Sequence, residues 1–286
     1  MAGVTLSAGI RDALTSIQRA TSEAATAQTR LATGKKVNTA IDNPLNFFTA
    51  AGLNDRATDL SNLQDAMGQA VKTIEAASSG IDGMTKLLQT AQGLANSAAA
   101  STDDTTRASL MTQYNTILSQ VDELMKNSGY GGINLLKGDK LNVKFDASAT
   151  TSTLNVQNLA TGALSATGLG ISGGAAGAWT IGAAAGGTTA TAGDVAIQAQ
   201  LTALSKAITT LRSEASALGA NAAIVKTRQE FTTSMINTLK AGADSLTLAD
   251  VNEEGANLVS LNTRAQLAQT SLSLASQREQ QVLRLF

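Results

Sequence analysis

Leu60-Ser61-Asn62-Leu63-Gln64-Asp65-Ala66-Met67-Gly68-Gln69-Ala70-Val71-Lys72-Thr73-Ile74 carries apolar side chains at 60, 63, 67, 70 and 74, in steps of three and four residues. That alternation keeps one stripe on one face of an α-helix. The rhythm starts at Leu53, breaks at Arg56, and runs on through Ala77, Ile81, Met84, Leu88 and Ala91. A second run is Leu110, Tyr114, Ile117, Val121 and Leu124, preceded by Ser101-Thr102-Asp103-Asp104, whose side-chain oxygens suit a helix N-cap. A third follows Ile197, Leu201, Leu204, Ile208, Leu211, Ala215, Leu218, Ala222 and Val225, then resumes at Ile236 and Leu239. If unbroken, a helix of about 45 residues is about 70 Å long at ~1.5 Å per residue. Rods of that length belong to coiled coils and bundles. The fold class predicted is mainly α, a rod of long helices with one small β-hairpin.

The hairpin comes from Leu141 to Phe145 and Thr153 to Val156, two β-like segments separated by Asp146-Ala147-Ser148-Ala149-Thr150. Gly129-Tyr130-Gly131-Gly132 ends the second helical run. Between Gly168 and Gly193 the composition collapses to Gly, Ala, Thr and Ser around Trp179, which predicts a surface loop or small flap. The stretch from Thr33 to Ala51 contains Asn43-Pro44, and the residue before a proline resists helix, so a linker is expected there.

Composition narrows function. The 286 residues include neither Cys nor His, which removes disulfides, thiolate chemistry, and the commonest general base and metal ligand. No cofactor or metal is expected, and no pairing of carboxylates or of nucleophile with base stands out. Asp103-Asp104 reads as a cap, and Glu253-Glu254 as the acidic first turn of a helix. A net charge of −1 gives no electrostatic case for nucleic acid, and Lys35-Lys36 is the only adjacent basic pair. No run approaches ~18 consecutive apolar residues, so no membrane span is expected. The first residues, Met1 to Leu6, lack the basic and apolar regions of a cleaved secretory signal.

The two ends carry weaker stripes. Ile10, Leu14, Ile17, Ala24 and Leu31 keep the rhythm, with Thr21 and Gln28 in seam positions. At the other end Val251, Leu258, Leu261, Ala265, Ala268, Leu272, Ala275, Val282 and Phe286 keep it, with Glu254 and Glu279 in the seam. Such helices gain their stability from packing. Two partners satisfy them equally well from periodicity alone: each other, as in an ordinary bundle, or copies of the same chain.

Several of these residues resemble bacterial flagellin. Arg30-Leu31-Ala32-Thr33-Gly34-Lys35-Lys36-Val37-Asn38-Thr39-Ala40-Ile41-Asp42-Asn43-Pro44 is similar to the family's N-terminal block. Asp250-Val251-Asn252-Glu253-Glu254 with Ala256-Asn257-Leu258 resembles its C-terminal block, and Leu272 to Gln277 ending in Val282-Leu283-Arg284-Leu285-Phe286 its terminus. Gly131-Gly132-Ile133-Asn134-Leu135-Leu136 resembles the segment ahead of the family's hairpin, with Gly131 where Asn is usual.

The resemblance implies a secreted structural subunit that polymerises into the flagellar filament and is not an enzyme. Export would run through the flagellar type III channel, which overturns the cytoplasmic reading given by the absent signal. It implies an inner layer from residues 1–36 and 252–286, paired as a coiled coil in the polymer. A surrounding layer would come from 37–170 and 194–251, with 171–193 a minimal variable loop. The polymerisation seam would hold Ile10, Leu14, Ile17, Leu31, Leu258, Leu261, Ala265, Leu272, Val282 and Phe286. Partners implied are the chain itself, an export chaperone, and hook-associated and cap proteins, with no nucleic acid or membrane. The nearest rival is the hook–filament junction protein, separable by whether the purified chain forms filaments alone. A different class, an amphipathic-helix coat for lipid surfaces, favours Lys/Arg opposite bulky aromatics, whereas Ala, Ser, Thr and Gln dominate here.

Overall fold

The computed structural model describes residues 8–146, 152–157, 163–181 and 191–283. Five long helices account for most of them: α1 (Ala8–Thr33), α2 (Pro44–Ala100), α3 (Asp104–Asn127), α4 (Ala192–Thr247) and α5 (Val251–Leu283). The chain divides into two compact units, one from residues 1–58 and 236–286, the other from 59–235.

The larger unit is the predicted rod. Met67, Ile74, Ile81, Met84, Leu88, Ala91, Ala95 and Ala98 of α2 are buried, as are Tyr114, Val121 and Met125 of α3 and Ile197, Leu204, Leu211, Leu218 and Val225 of α4. All belong to one continuous hydrophobic core. Asp103 caps α3 as expected, its carboxylate accepting from the Thr106 N–H at 2.8 Å. The hairpin is β1 (Leu141–Lys144) paired antiparallel with β2 (Thr153–Val156), with Leu141 opposite Val156. Leu141, Val143 and Val156 turn inward while Asn142 and Lys144 face water, the alternation of a sheet covered on one face.

Gly131 (φ 58°) and Gly132 (φ 84°) make the tight turn before the hairpin. Asn, the family's usual residue at the first of these, is among the side chains that best tolerate positive φ, so Gly131 meets the same backbone demand. Asn134 then acts as a hub. Its Nδ2 donates to the carbonyls of Met125 (2.8 Å) and Lys126 (3.0 Å) at the end of α3. Its Oδ1 accepts from the N–H groups of Leu136 (3.0 Å) and Lys137 (3.2 Å), opening a short 3-10 turn, Leu135–Lys137.

The Gly/Ala/Thr-rich segment departs from expectation. Its described residues 168–181 are packed down: Ile171 and Trp179 are buried, as is Leu164 just ahead of them, and Trp179 is only 1% exposed. Its ring packs on Tyr114 with centroids 5.0 Å apart, and burial pushes the Tyr114 phenol up to about 12. Small residues here let the backbone lie close against α3, with Asn115 exchanging hydrogen bonds with Gly174 in both directions at 3.0 Å. Arg107 fastens the end of this segment. The buried guanidinium reaches Asp194 (2.9 Å), the Ser101 carbonyl (2.8 Å) and the Trp179 carbonyl (3.4 Å). Asp104 accepts from the Ile181 N–H at 2.5 Å. A Cβ on Gly193 would overlap the backbone of Trp179 and Thr180, so only glycine allows this close approach. Thr191 caps α4, its hydroxyl accepting from the Asp194 N–H and donating to the Asp194 carboxylate.

In the smaller unit the interruption is shorter than the predicted Thr33–Ala51. It spans residues 34–43, because Pro44 takes the first helical position, where its missing N–H costs nothing. Asn43 caps it, Oδ1 accepting from the Asn46 N–H at 3.1 Å.

Candidate assembly interface

The site is built from both chain ends. α1 and α5 pair along their length, their Cα atoms repeatedly within 8 Å, closer than any two of α2, α3 and α4 sustain. Small side chains explain the difference, since interaxial distance follows the residues at the contact. The α1 seam consists of Ile10, Ala13, Ile17, Ala20, Ala24 and Ala27, all buried or half-buried. Facing them on α5 are half-buried Leu258, Leu261, Ala265, Ala268, Leu272 and Ala275.

The predicted stripe of α1 was thus one residue out of phase in alternate layers. Thr21 and Gln28 face water, and the alanines preceding them fill the seam. Leu14 and Leu31 are exposed, while Ala13 and Arg30 are the half-buried neighbours on the side toward α5, Arg30 through its ion pair with Glu254. On α5, Leu258, Leu261, Ala265 and Leu272 occupy the intramolecular seam as their spacing predicts, while Val251 points outward. The side chain of Val282 and the whole of Phe286 lie outside the described residues.

Glu254, which interrupted the apolar rhythm, is buried and ion-paired with Arg30 at 3.0 Å. A half-exposed pair of this kind adds modest stability, but it fixes register, since the two residues sit 224 positions apart in sequence. Next to it the two linkers are joined by backbone hydrogen bonds. Lys36 and Val37 N–H groups donate to the Thr247 carbonyl (2.8 and 3.3 Å), and the Ala249 N–H donates to Gly34 (2.9 Å). Asp42 folds its own linker by accepting from the N–H groups of Asn38 (3.0 Å) and Thr39 (2.8 Å), bonds that hold its carboxyl below the usual carboxylate range. Asp250 caps α5, accepting from Asn252 (2.8 Å) and Glu253 (3.2 Å). Arg30, Asn38, Thr39, Asp42, Asn43, Asp250 and Glu254 of the two terminal sequence blocks thus have hydrogen-bonding tasks in this double linker.

A second set of apolar residues on α5 was missed. Val259, Leu267 and Leu274 are exposed on the side of the helix away from α1. Their spacing of eight and seven residues was visible in the sequence, but the fuller stripe on the other face hid it. α5 therefore has two apolar faces, and one molecule covers only one of them. No group of three or more His, Cys, Asp or Glu among the described residues could hold a metal ion, and no described helix is long and apolar enough to cross a membrane.

The first and last helices pair with each other and leave an apolar face of α5 uncovered, an arrangement suited to a self-associating structural subunit. Residues 10–140 match the family model for the bacterial flagellin N-terminal helical region, and residues 201–286 that for the bacterial flagellin C-terminal helical region. Flagellin FljK of Caulobacter vibrioides is 26% identical over 99% of this chain and 98% of its own length. A flagellin of Brucella melitensis is 25% identical over 100% of this chain and 99% of its own. Among solved structures, Bacillus cereus flagellin covers 60% of this chain and 88% of its own at 17% identity, with a TM-score of 0.44, too distant to add to the argument.

The chain belongs to the bacterial flagellin family, as a short form with a minimal variable region. It is a structural subunit that polymerises into the extracellular filament of the bacterial flagellum, and the family is a structural one.

Proposed function

We propose that the α1–α5 pair forms the filament's inner layer, residues 1–36 and 252–286, and that its uncovered face carries subunit contacts there. Residues 37–170 and 194–251 would build the surrounding layer, with variability in 171–193 confined to the part beyond the buried Trp179. The observation that carries this reading is the second apolar face of α5. Val259, Leu267 and Leu274, with Leu14 and Leu31 of α1, pack against neighbouring copies. Ile10, Ile17, Leu258, Leu261, Ala265 and Leu272 serve assembly by holding the pair together. Before assembly the same exposed face needs a cover, which is the role of an export chaperone. Hook-associated and cap proteins meet it at the filament's two ends.

Two substitutions separate the faces. Leu267→Asp should leave the monomer's helicity and melting unchanged yet abolish filaments, because a carboxylate buried without a partner costs several kcal/mol or forces its own protonation. Leu261→Asp should also block assembly, but by loosening α1 from α5 in the monomer, seen as faster trypsin cleavage. Normal filaments from Leu267→Asp, imaged by negative stain, would refute the outward-face reading.

A further inference from the structure

Aromatic side chains make up 3% of this chain, and two of its five phenylalanines are spent on solvent. Phe48 is 65% exposed near the start of α2, beside Leu45 one turn earlier and Ile41, 93% exposed, in the turn ahead of the helix. Phe48 is held in place, its ring edge-on to half-buried Phe47 with centroids 5.5 Å apart. The next turn on that face is Gly52, with no atom within 4 Å of where its Cβ would stand, which leaves an open notch beside the ring. Exposed Asp42, Asp55 and Asp59 rim the patch and outnumber Arg56 and the half-buried Arg30 that acts on Asp42.

Phe231, 56% exposed, and Ile224 form another exposed apolar pair, seven residues apart on one face of α4. Ala220 and Thr227 keep that face low around them, and Arg228 lies exposed between the two, its guanidinium 5.3 Å from the centre of the Phe145 ring. The rims differ in net sign: acidic around Phe48, and basic near Phe231, where exposed Lys226 and Arg228 outnumber Glu230.

We infer that Ile41, Leu45 and Phe48 of one subunit pack against Ile224 and Phe231 of a neighbouring copy, with Arg228 meeting the acidic rim. The occupant is a second copy for two reasons beyond complementary charge. Two unlike patches on one chain make a heterologous contact, and heterologous contacts that do not close generate open helical polymers. Aromatic side chains and Arg are also the residues enriched at the cores of such interfaces. This contact rests on the self-assembly of the chain but is independent of the α5 face.

The chain has no cysteine, so single thiols can be introduced without background. Phe48→Cys and Phe231→Cys chains, one carrying a mass tag, would be co-assembled at equal ratio and oxidised. The expected product is a dimer holding one of each, present in mixed filaments and absent from filaments of either variant alone. Mixed filaments without that dimer, or a dimer from Phe48→Cys alone, overturn the inference and leave the polymer reading intact. Failure of the unmodified chain to form filaments counts against both. Should either cysteine variant fail to assemble, Asp55→Arg and Arg228→Asp replace them. Each alone should slow elongation at least tenfold and the two in one chain should restore it, whereas a double variant as slow as the singles overturns the pairing.

Discussion

Replacing Trp179 by Ala tests whether the glycine-rich segment is part of the rod. The indole is buried and stacked on Tyr114, with the Arg107 guanidinium on its own carbonyl. Truncating a buried Trp to Ala costs about 3–5 kcal/mol, of which the ring pair supplies roughly 0.5–1.5 kcal/mol. The unit concerned runs from residue 59 to 235, a size at which each kcal/mol moves the melting temperature by about 2–4 °C. A loss of ~4 kcal/mol therefore lowers the melting temperature by about 8–16 °C. Trp179→Phe, which keeps a ring against Tyr114, should lose less than half of that. Far-UV circular dichroism of the monomer supplies the melting curves. Trp179 is the chain's single tryptophan, so its fluorescence reports on this site alone and should be blue-shifted and protected from acrylamide. A shift under 2 °C, or wild-type emission at the wavelength of free tryptophan, would refute the packing argument.

Acid should weaken the same region. Asp194 is held below its ordinary value of 3.8 by the Thr191 hydroxyl, then the Thr191 N–H, then Arg107. A carboxylate whose folded pKa is depressed stabilises above its unfolded pKa and loses that contribution as pH falls through the folded one. The melting temperature should drop below about pH 4, more steeply in the wild type than in Asp194→Asn, and identical slopes would disprove the link. Asn134→Ala strips hydrogen bonds from four backbone groups and should cost about 2–4 kcal/mol in chemical denaturation, since unmet buried groups pay their desolvation. In the monomer, trypsin should cut first at Arg11, Arg19, Arg30, Lys35, Arg264 and Arg278, because the alanine seam buries little surface. The same sites should be protected in filaments, and equal rates in both states would show that assembly adds no order to the ends.

The long helices were legible because leucine, isoleucine and methionine at heptad spacing leave a helix one face to bury. The hairpin and the Asp103 cap were legible for equally local reasons. The Trp179 segment was not. Leu164, Ile171 and Trp179 have no helical or strand period, and their burial depends on α3 residues more than fifty positions away. The terminal pair was half legible. Periodicity put Leu14 and Leu31 on the α1 stripe, whereas Ala13 and Arg30 are the half-buried residues there, because apolar spacing does not register an ion pair such as Arg30–Glu254. Glu254 read as a flaw until Arg30, at the other end of the chain, supplied its partner.

Arg107 joins Asp194 on one side of the 182–190 stretch to the Trp179 carbonyl on the other, and Gly193 lies against Thr180. The residues flanking this stretch are thus already pinned to the rod. Guest sequence placed between Ile181 and Thr191 starts and finishes at fixed points, and each doubling of a flexible loop costs only about 0.6 kcal/mol of closure entropy. The chain can therefore gain a whole inserted module there while the unit from 59 to 235 keeps its melting temperature within a few degrees, which a calorimetric scan of such a graft would check.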